Sequence, residues 1–256
     1  ATDAHGDLGR VKYPGAFAKF SATPLEVLPP APSVGADTAA VLAEPDRQPN
    51  VRISNQEATT DQPLAGLKVL DLMWVMAGPA ASRVLVDYGA EVIRVQSMNK
   101  LDAARTLQPF TDNVTDPEFS GLWNNMNAGK REISLDLSKP ESFEVIWDLI
   151  DWADVVLESF SPKAMKNWGI GYEEISARKP EIITASSCLM GQTGPLALLA
   201  GFGTMAAAIS GFFYCAGWPD RAPAGPFGAY TDYTSPRWLV AAILAAVEHQ
   251  KVTGEG

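Results

Sequence analysis

The stretch LKVLDLM, residues 67–73, is a near-continuous apolar run of strand length, and it limits the fold more than any other feature of the chain. A strand that does not alternate apolar with polar residues is covered on both faces, as strands of parallel sheets are. AGPAASRVLVDYG follows, with Gly78 at the cap, Pro79 at the first helical position and Gly89 just past the end. Proline fits where a helix N–H has no partner anyway, and glycine fits where the chain turns left-handed. AEVIRVQ, residues 90–96, is the next strand. Strand, helix, strand is a crossover unit, and crossovers build parallel sheets.

The alternation continues with REISLDL (131–137), PESFEVIWDLIDW (140–152), ADVVLESF (153–160), a short helix opened by Ser161-Pro162, and PEIITASS (180–187). These segments predict an α/β fold with an open, mostly parallel Rossmann-like sheet and helices on both faces. Past Pro195, GFGTMAAAISGFFYCAG (201–217) reads as a buried helix. A Pro/Gly loop leads to a last helix from about 236 to 251, with Ser235 as N-cap and Pro236 first in the helix. The opening 45 residues carry a Pro-rich extended middle and a short helical end, and polar residues 46–62 form an exposed linker.

The 256 residues are 46% hydrophobic and 20% charged, which is ordinary globular composition. No apolar run reaches the ~18 residues of a membrane span, so no membrane partner is expected. A net charge of −10 disfavours nucleic acid, whose phosphates need a basic surface. Cys188 and Cys215 are too few for a disulfide framework and fit a reducing cytoplasm. Both lie in apolar stretches and read as buried structural thiols. His5 and His249 lack ligand spacing with them, so no metal site is expected. The N-terminus has no signal-peptide pattern and no initiator Met, which points to trimming or a fragment.

Three places have the residue types for chemistry. VMAGPAA (75–81) is a strand-to-helix turn, where open α/β sheets bind ligands, and its helix start offers N–H groups to an anion. It is not GxGxxG, and Gln96 ends the second strand where a ribose-binding acid would stand, so a dinucleotide is disfavoured. The other reading is a tight turn that needs small residues. Lys130 and Arg131 either pair with a phosphate or decorate a solvated turn. Asp232 lies in the loop entering the last helix, where the macrodipole favours a charged carboxylate. It is either an Asx-turn residue or a nucleophile.

Several segments together resemble the class III CoA-transferases, the family of formyl-CoA and carnitine CoA-transferases and the α-methylacyl-CoA racemases. They are PLAGLKVLDLMWVMAGPAASRVLVDYGAEVIRV, NAGKREISLDLSKPES, ADVVLESFSPKAMKNWGIGYEEI, PEIITASS, GQTGPLA and AYTDYTSPRWLVAAILAAVEHQKVTGEG. Their number, order and spacing make the resemblance specific from about 63 to 256. It implies an acyl-CoA:carboxylate CoA-transferase with Asp232 as nucleophile, coenzyme A carried in as acyl-CoA, a carboxylic acid as acceptor, and an aspartyl-CoA thioester as intermediate. It also implies CoA contacts at Val75, Met76, Ala77, Leu135, Phe160 and Ala164, with Lys139 as a phosphate partner beside Ser138, where the family's lysine falls. The racemase His–Asp pair is replaced by Phe202 and Gly203, which disfavours racemase activity.

YPGAFAKFSATP (13–24) and VGADTAAVLAE (34–44) resemble the family's C-terminal end. The expected organisation is therefore the tail of one module (1–45), a linker (46–62), a CoA-binding large domain (63–199), and a helical segment (200–256) leading to a small domain. The family's interlocked subunits imply a homodimer or an intramolecular pseudo-dimer. The fragment itself is expected to be inactive alone, and the alternative is a non-catalytic structural half.

Overall fold

The computed structural model describes residues 2–4, 11–13, 17–24, 36, 38–43 and 62–256. The chain divides into two units, Ala1–Asp61 and Gln62–Gly256. In the first, β1 (Thr2–Ala4) pairs antiparallel with β2 (Val11–Tyr13). A short helix, α1 (Thr38–Leu42), forms within the segment with the helical pattern. The Pro-rich stretch 25–35 and the linker, apart from Gln62, lie outside the described residues.

The second unit is built on five parallel strands: β3 (Lys68–Leu72), β4 (Glu91–Gln96), β5 (Arg131–Ser134), β6 (Val155–Glu158) and β7 (Ile183–Ser186). They lie in the order β5-β4-β3-β6-β7. The chain winds outward from β3 in one direction, then returns to β6 and winds the other way. The order therefore reverses between β3 and β6, and ligands of such sheets sit outside the strand carboxyl ends at that reversal.

Helices cover both faces. Leu70 and Leu72 of β3 point to one face, onto Ile146 and Ile150 of α4 (Ser142–Trp152). Val69 and Met73 point to the other, onto Leu85 of α2 (Ala77–Asp87) and onto Ile243 and Val247 of α9 (Tyr230–Thr253). Both faces of β3 are buried, so its sequence reads as a near-continuous apolar run. Each fully buried Ile or Leu in these clusters contributes about 1.5–3 kcal/mol by leaving water. Gly89 closes α2 at φ +103, and a Cβ there would stand 2.6 Å from Gln62. That conformation and that approach both require glycine.

The remaining helices are α3 (Gly121–Asn127), α5 (Ala164–Asn167), α6 (Tyr172–Arg178), α7 (Gly203–Ile209) and α8 (Phe212–Ala216). Three expectations are corrected. Helix α2 starts at Ala77 with Met76 at the cap, so Gly78 is already helical, packed within 2.6 Å of Met73 for any added Cβ. The segment 201–217 is two short helices broken at Gly211 (φ +90), not one. It is also mostly exposed, with Phe202 61% and Tyr214 82% accessible and Gly203 and Ala207 buried. The last helix starts at Tyr230, six residues before Pro236. Tertiary contacts carry it past the proline: the Thr231 hydroxyl donates to the Gly203 carbonyl at 2.7 Å, and the Tyr230 ring lies 5.1 Å from that of Phe212. No helix among the described residues is long and apolar enough to cross a membrane.

Candidate active site

The turn from β3 into α2 holds three successive backbone N–H groups, and each is taken by a side chain. Met73 donates to Asp71 Oδ1 at 2.8 Å, Trp74 to Ser159 Oγ at 2.9 Å, and Val75 to both oxygens of Asp102 at 3.1 and 2.9 Å. Val75 has φ +66, a left-handed conformation that a β-branched residue adopts only under constraint. These amides therefore face the protein. Any anion at this turn must be met by the start of α2 itself.

Beneath the turn runs a buried line of charges. Lys130 Nζ lies 2.9 Å from Asp71 Oδ2, Arg94 3.9 Å from the same oxygen, and Arg94 2.6 Å from Asp102 Oδ2. Ser82 Oγ also donates to Asp71, at 2.6 Å. Burial pushes the Asp71 carboxyl up, but Lys130 and Arg94 outweigh it and hold the pKa below the usual carboxylate range. The Trp123 ring lies between two guanidiniums, with Arg94 at 4.5 Å and Arg105 at 3.9 Å from its centroid. Arg105 pairs with Glu118 at 2.8 Å and donates to Gln96 at 2.8 Å. Lys130 spends its three donors on Asp71, Pro79 and Asn127, so it is neither a phosphate ligand nor part of a solvated turn but half of a buried structural ion pair. Arg131 is exposed and pairs with Glu91.

Across the reversal, the β6–α5 loop brings Phe160 edge-on to Trp74, centroids 6.1 Å apart, and to Trp168 at 5.1 Å. The Phe160 amide donates to Glu158 Oε2 at 2.7 Å. Burial raises the pKa of Glu158, against the opposing bonds from Ser186 and Phe160. Ala164 is half-buried at the start of α5. Leu135 extends the β4–β5 pairing through its amide to Gln96, 2.8 Å, and Lys139 is exposed one turn further on. Val75, Met76, Ala77, Leu135, Lys139, Phe160 and Ala164 thus all follow the carboxyl ends of β3, β5 and β6.

Asp232 stands in the first turn of α9, not in the loop before it. The far end of α9 lies at the amino edge of the sheet, where Gln250 donates to the Glu181 carbonyl just before β7. Ile243 is in the core, and the eleven residues back to Asp232 rise about 16 Å toward the carboxyl edge. Asp232 is half-buried. Burial raises its pKa, and the Gly203 N–H, donating to the carboxylate, opposes that only in part. Desolvation is thus the dominant influence on this carboxyl. A Cβ on Gly203 would lie 2.6 Å from Asp232 Cγ and Oδ2. Pro236 lies inside α9 and has no N–H for the Asp232 carbonyl.

Residues 64–256 match the sequence profile of CoA-transferase family III. The chain belongs to this family. It is 36% identical over 196 residues to a succinate–glutarate CoA-transferase of Agrobacterium fabrum, covering 76% of this chain and 49% of that protein. It is 35% identical over 196 residues to the human succinyl-CoA:glutarate CoA-transferase, covering 76% and 44%. A CaiB/BaiF family protein from Brucella suis has a similar structure, with TM-score 0.70, 34% identity, and coverage of 77% and 52%. The chain spans about half the length of the relatives it matches.

Within this family III chain, the sequence motifs pointed to Asp232 and to the strand-end turns. They missed the charges that support the turns. A signal was present: Asp71 and Arg94 are charges inside apolar strands, LKVLDLM and AEVIRVQ, where neither face is wet. Cys188 is half-buried, and burial with the Glu158 charge raises its thiol pKa, which suits an inert thiol. Cys215 is exposed, correcting the expectation that both thiols are buried.

Proposed function

We propose that this chain is the CoA-binding large-domain portion of an acyl-CoA:carboxylate CoA-transferase with Asp232 as its nucleophile. The observation that carries the reading is Asp232 itself: a half-buried carboxylate in the first turn of α9, touched by the Gly203 amide, on the edge of the sheet where ligands bind. CoA enters as the acyl-CoA substrate, along Val75, Met76 and Ala77 and past Leu135, Phe160 and Ala164, with Lys139 near its phosphates.

An Asp232 oxygen attacks the thioester carbonyl, the C–S bond breaks, and CoA leaves as thiolate, with the acyl group left on Asp232 as a mixed anhydride. The thiolate then attacks the aspartyl carbonyl and releases the first acid as its carboxylate. The acceptor carboxylate repeats the two steps in reverse order, and Asp232 is regenerated. No proton is gained or lost overall. Partial burial suits this chemistry, because a less hydrated carboxylate is a stronger nucleophile and water is the competing acceptor. The Gly203 N–H is placed to hold the carboxylate oxygen.

The apolar residues exposed along 202–238, among them Phe202, Tyr214, Trp218 and Trp238, support an interlocking partner, either a second copy or the other module of a tandem chain. Residues 1–45 are read as the tail of that preceding module. Unpaired Cys188 and Cys215 support a reducing, cytoplasmic setting. The deciding experiment incubates the full-length parent protein with acyl-CoA and traps the intermediate. An adduct on the Asp232 peptide, seen by mass spectrometry and lost in Asp232→Asn, is the expected result. CoA binding without an adduct or transfer would make this a non-catalytic, structural module instead.

A further inference from the structure

Asp102 gathers backbone amides and a buried guanidinium beside the turn before α2. Asp102 is 4% exposed. Its two oxygens accept the Val75 amide at 3.1 and 2.9 Å, Oδ1 also accepts the Ala104 amide at 2.9 Å, and Oδ2 meets Arg94 at 2.6 Å. Arg94 is itself fully buried, lies against the Trp123 ring at 4.5 Å, and stands 3.9 Å from Asp71. Asp71 in turn holds the Met73 amide at 2.8 Å. The two ends of one buried charge array thus grip the turn on either side of Trp74.

The grip falls on the one residue that resists it. Val75 is held at φ +66. Left-handed backbone disfavours any residue with a Cβ, and a branched Cβ most. Such a conformation persists only where its surroundings over-determine it. A carboxylate accepting with both oxygens, itself fixed by a buried guanidinium, is such a surrounding. Released from it, Val75 would relax toward negative φ and redirect the carbonyls and side chains of Val75 and Met76, which lead into α2.

We propose that Asp102 is a positioning residue: braced by Arg94, it holds Val75 left-handed and so sets the shape of the turn that receives the CoA thioester. The inference rests on the CoA-transferase reading above. It does not need Asp102 to touch substrate.

The test uses the full-length parent protein and free CoA, with affinity by calorimetry and kinetics by initial rates. Asp102→Asn keeps the size and one acceptor but loses the charge and the second acceptor. It is expected to weaken CoA binding about tenfold and raise the acyl-CoA KM by a similar factor, with the acceptor KM within about twofold. In a Val75→Gly background, where left-handed backbone costs nothing, the same Asn substitution is expected to weaken CoA less than about threefold. A purely structural role for Asp102 would give the same loss in both backgrounds, and that result overturns the proposal. So does a folded Asp102→Asn protein that binds CoA like the wild type. If wild-type protein binds no CoA, the functional reading fails and takes this inference with it; if it binds and the two backgrounds match, only the inference fails. Should Asp102→Asn not fold, amide exchange on the wild-type protein decides: a protected Val75 amide before CoA is added is expected, and rapid exchange there refutes the brace.

Discussion

Two helices begin at the same edge of the sheet, and their beginnings are built in opposite ways. The entry to α2 is tied down by Asp71, Ser159 and Asp102, and the carboxylates among them are matched by Lys130 and Arg94. The entry to α9 carries Asp232 with no cation against it among the described residues, one amide from Gly203, and a proline six residues in. Charge compensation makes the first carboxylate group a scaffold, with Asp71 held below its ordinary pKa. Partial burial, opposed only by the Gly203 amide, raises the pKa of Asp232, the proposed reagent. The same residue type is shifted in opposite directions according to what stands beside it, which is why the proposed nucleophile and the strut differ.

The largest effect expected from breaking this contrast is at the reagent. Asp232→Asn should lower transfer by the full-length protein by about a thousandfold or more, with CoA binding and thermal stability nearly unchanged. At the scaffold the same kind of change should do the reverse. Lys130→Met leaves Asp71 buried without its partner and should destabilise folding by about 3–5 kcal/mol, measured by urea unfolding of the folded chain. If Lys130→Met left stability intact, the array would not be the scaffold described here.

Much of this was legible beforehand. The near-continuous apolar run of LKVLDLM marks a strand covered on both faces, and the sheet bears it out. What stayed hidden is long-range. Nothing near Pro236 in sequence tells that Gly203 and Phe212 hold the helix open upstream of it. Likewise, NAGKRE reads as a solvated turn until the fold carries Lys130 59 residues back to Asp71.

A smaller effect probes the one close contact of the reagent. Gly203→Ala would put a methyl 2.6 Å from the Asp232 carboxylate. It should cost about a hundredfold in kcat by displacing the nucleophile, with KM for acyl-CoA little changed. A fully active Gly203→Ala protein would show that Asp232 works from another position.

The subtlest test is pH. A raised pKa means that Asp232 is protonated at a higher pH in the folded protein than in the unfolded chain. Its contribution to stability is therefore present below the unfolded value and lost as pH rises through the folded one. Transfer needs the ionised form, so the acid limb of the rate profile should lie above the ordinary aspartate value of about 3.9. Asp71 has the opposite sign: its contribution is present above the unfolded pKa and lost as pH falls through the depressed folded value. Rate and unfolding profiles measured together should separate the two, and an acid limb at or below the ordinary value would remove Asp232 from the role of partly desolvated nucleophile.

The sequence by itself determined the strand and helix alternation and the parallel sheet, and it singled out the aspartate near the last helix, though it placed that residue in the loop before it. These depend on periodicity and on residue order, which are local. Tertiary structure decided which charges are buried together, which turn is strained, and which carboxylate burial pushes up. Those depend on residues brought together from distant strands, and an isolated charge in a strand does not name its partner.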